Sequence, residues 1–276
     1  MSETPKAPET GQWLYDPLET QTCTDSFFRF IIEYDNVIGL FVFTASNASR
    51  VDHVQALAAH ALADKKDRAE KTVDDFNKNL AFSKVKQYSR LLSRDLIVSM
   101  ANNFNSYLSE ILQSVMTKKH EVLRSSERIT IEDALQFNRV QELRAFIVDR
   151  KINELSYAGQ KQIQEFIAER LGIEMFSTNT ERVLLTILNE LRNIHTHNRG
   201  TVNQLFLNRI GTEHPQFPFV LRQQYHVDFG QFVLLSRNAI HVAQRLDELL
   251  AVKFKLKRSK YKNRLAKGRK PSDVSA

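Results

Sequence analysis

An all-α fold of packed long helices is predicted by three observations. Apolar residues recur at helical spacing along most of the chain, glycine and proline are scarce, and no apolar run is long. The 276 residues include only 8 Gly and 6 Pro, which argues against sandwiches, propellers and collagen-like repeats. The longest unbroken apolar run, counting Gly39, is Val37 to Phe43, far too short for a bilayer. A chain of this length buries a sizeable core unaided. Its single cysteine, Cys23, excludes an internal disulfide and a cysteine-rich zinc site.

Residues 1–22 are rich in Pro, Thr, Glu and Gly and read as a flexible N-terminal segment. They hold a single Lys and no apolar stretch, so a cytoplasmic protein without a signal peptide is expected. Residues 23–251 read as one helical domain. Phe27 to Phe43 is dense in aromatic and β-branched residues, and periodicity alone leaves it a buried helix or a strand. Ala48 to Arg68 reads as a helix and Asp67 to Lys78 as a charged connection. From Ser83 to Lys119, apolar residues from Val85 to Val115 keep helical spacing over about ten turns. Thr130 ahead of Glu132 and Asp133 predicts a cap and a short helix to about Phe137. Gln141–Leu155 and Ala158–Leu171 follow as helices, the second closed by Gly172. Thr178 or Thr180 caps a helix from Glu181 to about His197, ended by Asn198-Arg199-Gly200. Residues 211–226 hold Gly211, Pro215 and Pro218 and read as a loop. Asp228 to about Lys257 is the last long helix.

The net charge of +7 is a property of one segment. Residues 252–276 carry ten basic side chains against the single acid Asp273, leaving 29 basic and 31 acidic residues elsewhere. This basic tail, continuing the last helix, is suited to polyanions through phosphate contacts and counterion release. The alternative is a solvated helix end that maintains solubility. Lys257, Arg258, Lys260 and Lys262 are the tail residues expected to meet a nucleic-acid backbone.

The stretch with chemical content runs from Asn189 to Asn203. Leu184, Ile187, Leu188, Leu191 and Ile194 form an apolar stripe, and Arg192, Asn193, His195 and His197 flank it in the last turns. Such polar groups are unfavourable on a buried helix without partners. Asn193 and His197 are four apart and share a face. Arg192 and His197 diverge by roughly 140° around the axis, so one helix alone does not aim both at one atom unless the arginine curls back. A second copy related by a two-fold axis would bring both pairs into one cleft. His195 and His197 diverge by about 200° on a helix, against their acting as a metal pair. His195 itself reads as structural. No nucleotide-binding glycine loop or hydrolase elbow is present.

Arg192 and Asn193 with His197 resemble the R-N-x-x-x-H motif of HEPN ribonucleases. Glu190, Asn198, Gly200, Val202 and Asn203 extend the likeness to the RiboL-PSP-HEPN, or MAE-type, branch. Ser93-Arg94-Asp95 through Phe104, Tyr107 and Leu108, and Asn153 to Tyr157, also resemble that branch, over roughly residues 80–250. Where relatives are expected to carry an acid beside Phe104, this chain has Asn105.

The resemblance implies a HEPN-like bundle of long helices, a homodimer, and RNA cleavage without a metal or other cofactor, giving 2′,3′-cyclic phosphate and 5′-OH ends. It casts Arg192, Asn193 and His197 as catalytic. An imidazole titrates near neutrality and suits proton transfer. A guanidinium suits the equatorial oxygens of a phosphorane, and an amide orients either. Arg199 beside the motif is expected to touch the RNA. The family suggests a toxin or phage-defence effector, with an antitoxin or other regulatory protein as partner and no membrane. The alternative is a catalytically silent HEPN-type module that binds RNA or protein. Without the extended likeness, a helix-end Arg and His serving exposed carbonyls would be the simpler reading.

Overall fold

A computed structural model describes residues 15–18, 20–123, 129–211 and 214–263. The chain is all-α. Its described residues form α1 (Asp25–Leu62), α2 (Lys65–Glu70), α3 (Leu80–Gln87), α4 (Ser89–Lys118), α5 (Ile131–Leu135), α6 (Val140–Ala158), α7 (Gln160–Leu171), α8 (Asn179–His197), α9 (Gln204–Ile210) and α10 (Phe229–Phe254). Two short strands, β1 (Thr22–Cys23) and β2 (Ser259–Lys260), pair antiparallel. None of the described helices is long and apolar enough to cross a membrane.

The open choice at Phe27–Phe43 resolves as helix, continuous with the next segment. Thr24 caps α1 by accepting from the Phe27 amide at 3.3 Å. The helix then runs 38 residues, about 57 Å. Its first half buries Phe27, Phe30, Ile31, Tyr34 and Ile38. Its second half carries the exposed Phe43, Val54 and Leu62 and packs against α3. The span from Ser83 to Lys119 is two helices rather than one, with α3 handing over to α4 at Tyr88.

α4 is the central helix. It packs against α1, α6, α8 and α10, and buries Leu96, Met100, Phe104, Leu108, Ile111 and Val115 along its length. Phe30, Phe104 and Tyr107 meet as an aromatic cluster with centroids 5.5–6.2 Å apart. Cross-contacts fix the directions. Arg29 meets Glu110 at 2.7 Å while Phe41 stacks on Phe229 at 5.2 Å, so α1 runs antiparallel to α4 and α10. Asn105 meets Asn189 at 3.3 Å and Asn102 meets Arg192 at 3.0 Å, so α8 is also antiparallel to α4. The last turn of α8, the start of α4 and the start of α10 therefore share one end of the bundle.

α10 begins in a capping box, Asp228 accepting from the Gln231 amide at 2.8 Å. It ends at Phe254, not near Lys257, because Lys255 turns left-handed (φ 51°) and closes the helix. After Lys255 the basic segment is non-helical over 256–260 and turns helical again at 261–263, and β2 brings it onto the N-terminal residues. Tyr261, 2% exposed, donates its amide to Gln21 O at 3.0 Å. Thr24 donates to the buried carboxylate of Asp247, from its amide at 3.1 Å and from its hydroxyl. Residues 21–24 are therefore ordered in this clasp, although the sequence placed 1–22 in a flexible segment. Residues 264–276 of the tail lie outside the described residues.

Candidate active site at the end of helix α8

α8 is pinned at both ends. At its start Thr178, not Thr180, accepts from the Glu181 amide at 3.1 Å. Glu181 in turn accepts from the Ser177 amide at 2.7 Å and lies 3.2 Å from His241 and 3.5 Å from Arg245 of α10. Between the ends, Leu185, Ile187, Leu188, Leu191 and Ile194 are buried.

At its far end the residues of the extended motif build a turn. Asn198 donates from its side chain to Thr201 O at 2.6 Å. Arg199 (φ 51°) and Gly200 (φ 78°) are left-handed, and the Gly200 amide returns to Ile194 O at 2.9 Å. A Cβ on Gly200 would lie 2.9 Å from the His195 ring and 3.4 Å from Tyr225 O, so only glycine fits. Val202 is buried and joined by backbone to Gln223 and Arg222. Asn203 caps α9, accepting from the Phe206 amide at 2.8 Å. These five residues shape the backbone that stops α8 directly after His197 and starts α9.

The polar residues ahead of the turn are joined. Arg192 is half-buried. Its Nε donates to Asn102 Oδ1 of α4 at 3.0 Å, and its Nη1 donates to Asn193 Oδ1 at 3.2 Å. The guanidinium therefore curls toward the Asn193 face, the face that His197 shares one turn later. Asn193 Nδ2 lies 3.5 Å from Glu190 Oε1, and Glu190 is held by Arg209 of α9 at 3.0 Å. His197 is exposed on the last helical position, and its ring has no hydrogen-bond partner among the described residues.

His195 points the other way. It is 8% exposed, its ring lies against Gly200, and its Nε2 has no partner among the described residues. Burial first, then the charges of His226 and Arg94, push its pKa down to about 4. His195 is thus buried while His197, two residues on, is exposed.

Two parts of the site were not anticipated. The residue of α4 that supports Arg192 is Asn102, an uncharged amide; Asn105 instead bonds Asn189, which continues to Gln160 of α7 at 3.0 Å. The adjacent Asn102-Asn103 pair was the available signal. The second is a group of basic side chains at the same end of the bundle. Arg94 acts on His195, and Arg90 acts on His226, whose pKa is lowered by burial and then by that charge. These residues come from α4, α8 and the segment before α10, so no local pattern joins them.

The expected RNA contacts fall in two places. Arg199 is exposed in the turn beside His197. Lys257, Lys260 and Lys262 are exposed near the clasp, at the other end of α10, whose 26 residues span about 39 Å. Arg258 is engaged inside the clasp: it donates to Thr22 O at 2.8 Å and its charge acts on Asp247, so it is not presented with the neighbouring lysines. Comparison with protein-family models, curated proteins and solved structures finds no match to this chain.

Proposed function

We propose that the protein is a metal-independent HEPN-type endoribonuclease that cuts RNA to 2′,3′-cyclic phosphate and 5′-OH ends. The observation that carries this reading is the curl of Arg192 onto the face shared by Asn193 and His197. The guanidinium is bonded to Asn193, four residues before the solvent-open His197, which supports a cation and an imidazole serving one phosphodiester.

In the reaction the ribose 2′-oxygen loses its proton and attacks the adjacent phosphorus. The P–O5′ bond breaks and O5′ leaves with a proton. His197 carries protons in this scheme. Arg192, fixed through Nε and Nη1, keeps Nη2 for the equatorial oxygens, where charge grows in the transition state. Asn193 sets the guanidinium. A homodimer would set two such faces across one groove and let the His197 of one copy serve with the Arg192 of the other. Activity of this kind suits a toxin or phage-defence effector in the cytoplasm, restrained by an antitoxin or other regulatory protein.

The test is RNA incubated in EDTA with wild type, Arg192→Ala and His197→Ala, with the ends of the products identified. Cleavage by wild type alone, leaving cyclic phosphate, is expected. Cleavage that requires added metal, or that survives both substitutions, removes the mechanism. RNA that is bound and never cut assigns the silent binding module instead. Light scattering checks the dimer, because a fully active monomer rules out a shared groove.

A further inference from the structure

We propose that Arg90 and Arg94 of α4, with His226 beside them, form a second phosphate subsite that holds single-stranded RNA next to the phosphodiester at Arg192 and His197. The inference rests on the RNA reading above and names where the strand runs.

Four observations carry it. The cluster is assembled from separate elements at the end of the bundle where α8 stops, and its three members are exposed. Arg90 and Arg94 are four apart on one face of α4, an arrangement in which like charges repel. They also occupy the first two turns of α4, whose first turn contains no acid to offset them. Compensation within the chain is partial. Asp95 takes Arg94 Nε and Nη2, each at 2.9 Å, leaving Nη1, and Arg90 has no ion pair among the described residues. Two arginines placed side by side with partial compensation are suited to an external anion.

The spacing favours a strand of linked phosphates over a single ion. Arg94 and Arg90 are about 6 Å apart along the axis, and Asn102, which holds Arg192, lies about 12 Å beyond Arg94 on the same helix. The three positions follow one another along α4, from the residue that holds Arg192 toward the end away from the clasp.

The test is binding of a 2′-O-methylated single-stranded oligonucleotide, which cannot be cut, from about 50 to 200 mM salt. Wild type is compared with Arg90→Gln/Arg94→Gln and with Arg90→Lys/Arg94→Lys. Loss of two contacts should lower the slope of log affinity against log salt by roughly 1.4. Across that salt range wild type should then lose about sevenfold more affinity than the glutamine variant. The lysine variant should keep the wild-type slope, which a merely structural role of the arginines would not predict. An unchanged slope in the glutamine variant overturns the subsite, and so does absence of binding by wild type. The cleavage assay in EDTA is read separately. Cutting with an unchanged slope leaves the nuclease reading and removes the subsite. A reduced slope without cutting does the reverse.

Discussion

The two ends of α10 place polar groups in opposite ways. At the clasp, Asp247 is 2% exposed, yet Thr24 donates to it twice and Arg258 supplies a charge. At the other end, Arg90, Arg94, His197 and His226 are exposed, and the two arginines share a helix face. Polar groups that serve folding are matched inside the chain, because a buried unmatched group costs stability. Groups left unmatched at a surface are available to something outside it. The contrast separates residues that hold the bundle together from residues that act.

The sharpest test of the clasp is Asp247→Ala. It leaves the Thr24 amide and hydroxyl without their acceptor and should cost about 2–4 kcal/mol in denaturant unfolding. A loss below about 0.5 kcal/mol would mean that the clasp does not contribute to folding. At the other end, Gly200→Ala forces a side chain into a left-handed position 2.9 Å from His195. A cost on the order of 1–3 kcal/mol is expected by the same measurement, together with reduced cleavage as the turn after His197 shifts.

The two ends should also titrate with opposite sign. His195 falls to about 4 in the folded chain, against an ordinary 6.5. The unfolded chain takes up that proton first, so the stability it contributes is present above 6.5 and is lost as pH falls toward 4. Asp35, which accepts from the Tyr15 amide at 3.2 Å near the clasp, is raised by burial to about 6 from 3.8. The folded chain keeps that proton longer, so its contribution is present below 3.8 and is lost as pH rises through 6. Thermal melts between pH 4 and 7 should therefore change slope one way in His195→Gln and the other way in Asp35→Asn. Slopes that move together would break the comparison.

The smallest effect on stability is expected where the proposal expects the largest effect on RNA. Arg90→Gln/Arg94→Gln should leave stability within about 0.5 kcal/mol of wild type, and on the favourable side as repulsion is relieved. A clear destabilisation would show that these arginines hold the fold rather than wait for a ligand.

The sequence was most legible where one local signal decides one local structure. Thr130 and Asp228 cap helices, Gly172 (φ 59°) ends one, and Asn198-Arg199-Gly200 stops α8. It was least legible where surroundings decide. The two halves of α1 look unlike because one lies in the core and the other is largely exposed, yet the backbone is continuous. α9 is seven residues long, too short for a period to register. The end of α10 falls at Lys255, a residue type that does not announce a left-handed cap. Within the candidate site, the order of Arg192, Asn193 and His197 could be read directly. Asn102 and the Arg90–Arg94–His226 group could not, because packing of α4 against α8 brings them there.

The clasp also sets a timetable for the newborn chain. Thr24, which caps α1, bonds a carboxylate 223 positions downstream, and Thr22 meets Arg258 after 236. A ribosome making about 5–20 residues each second delivers Asp247 roughly 9–37 seconds after the end of α1. Until then the start of the longest helix is without Asp247. Ring closure over so many residues adds little free energy, since each doubling costs about 0.6 kcal/mol, but it postpones the final latch until translation is nearly over.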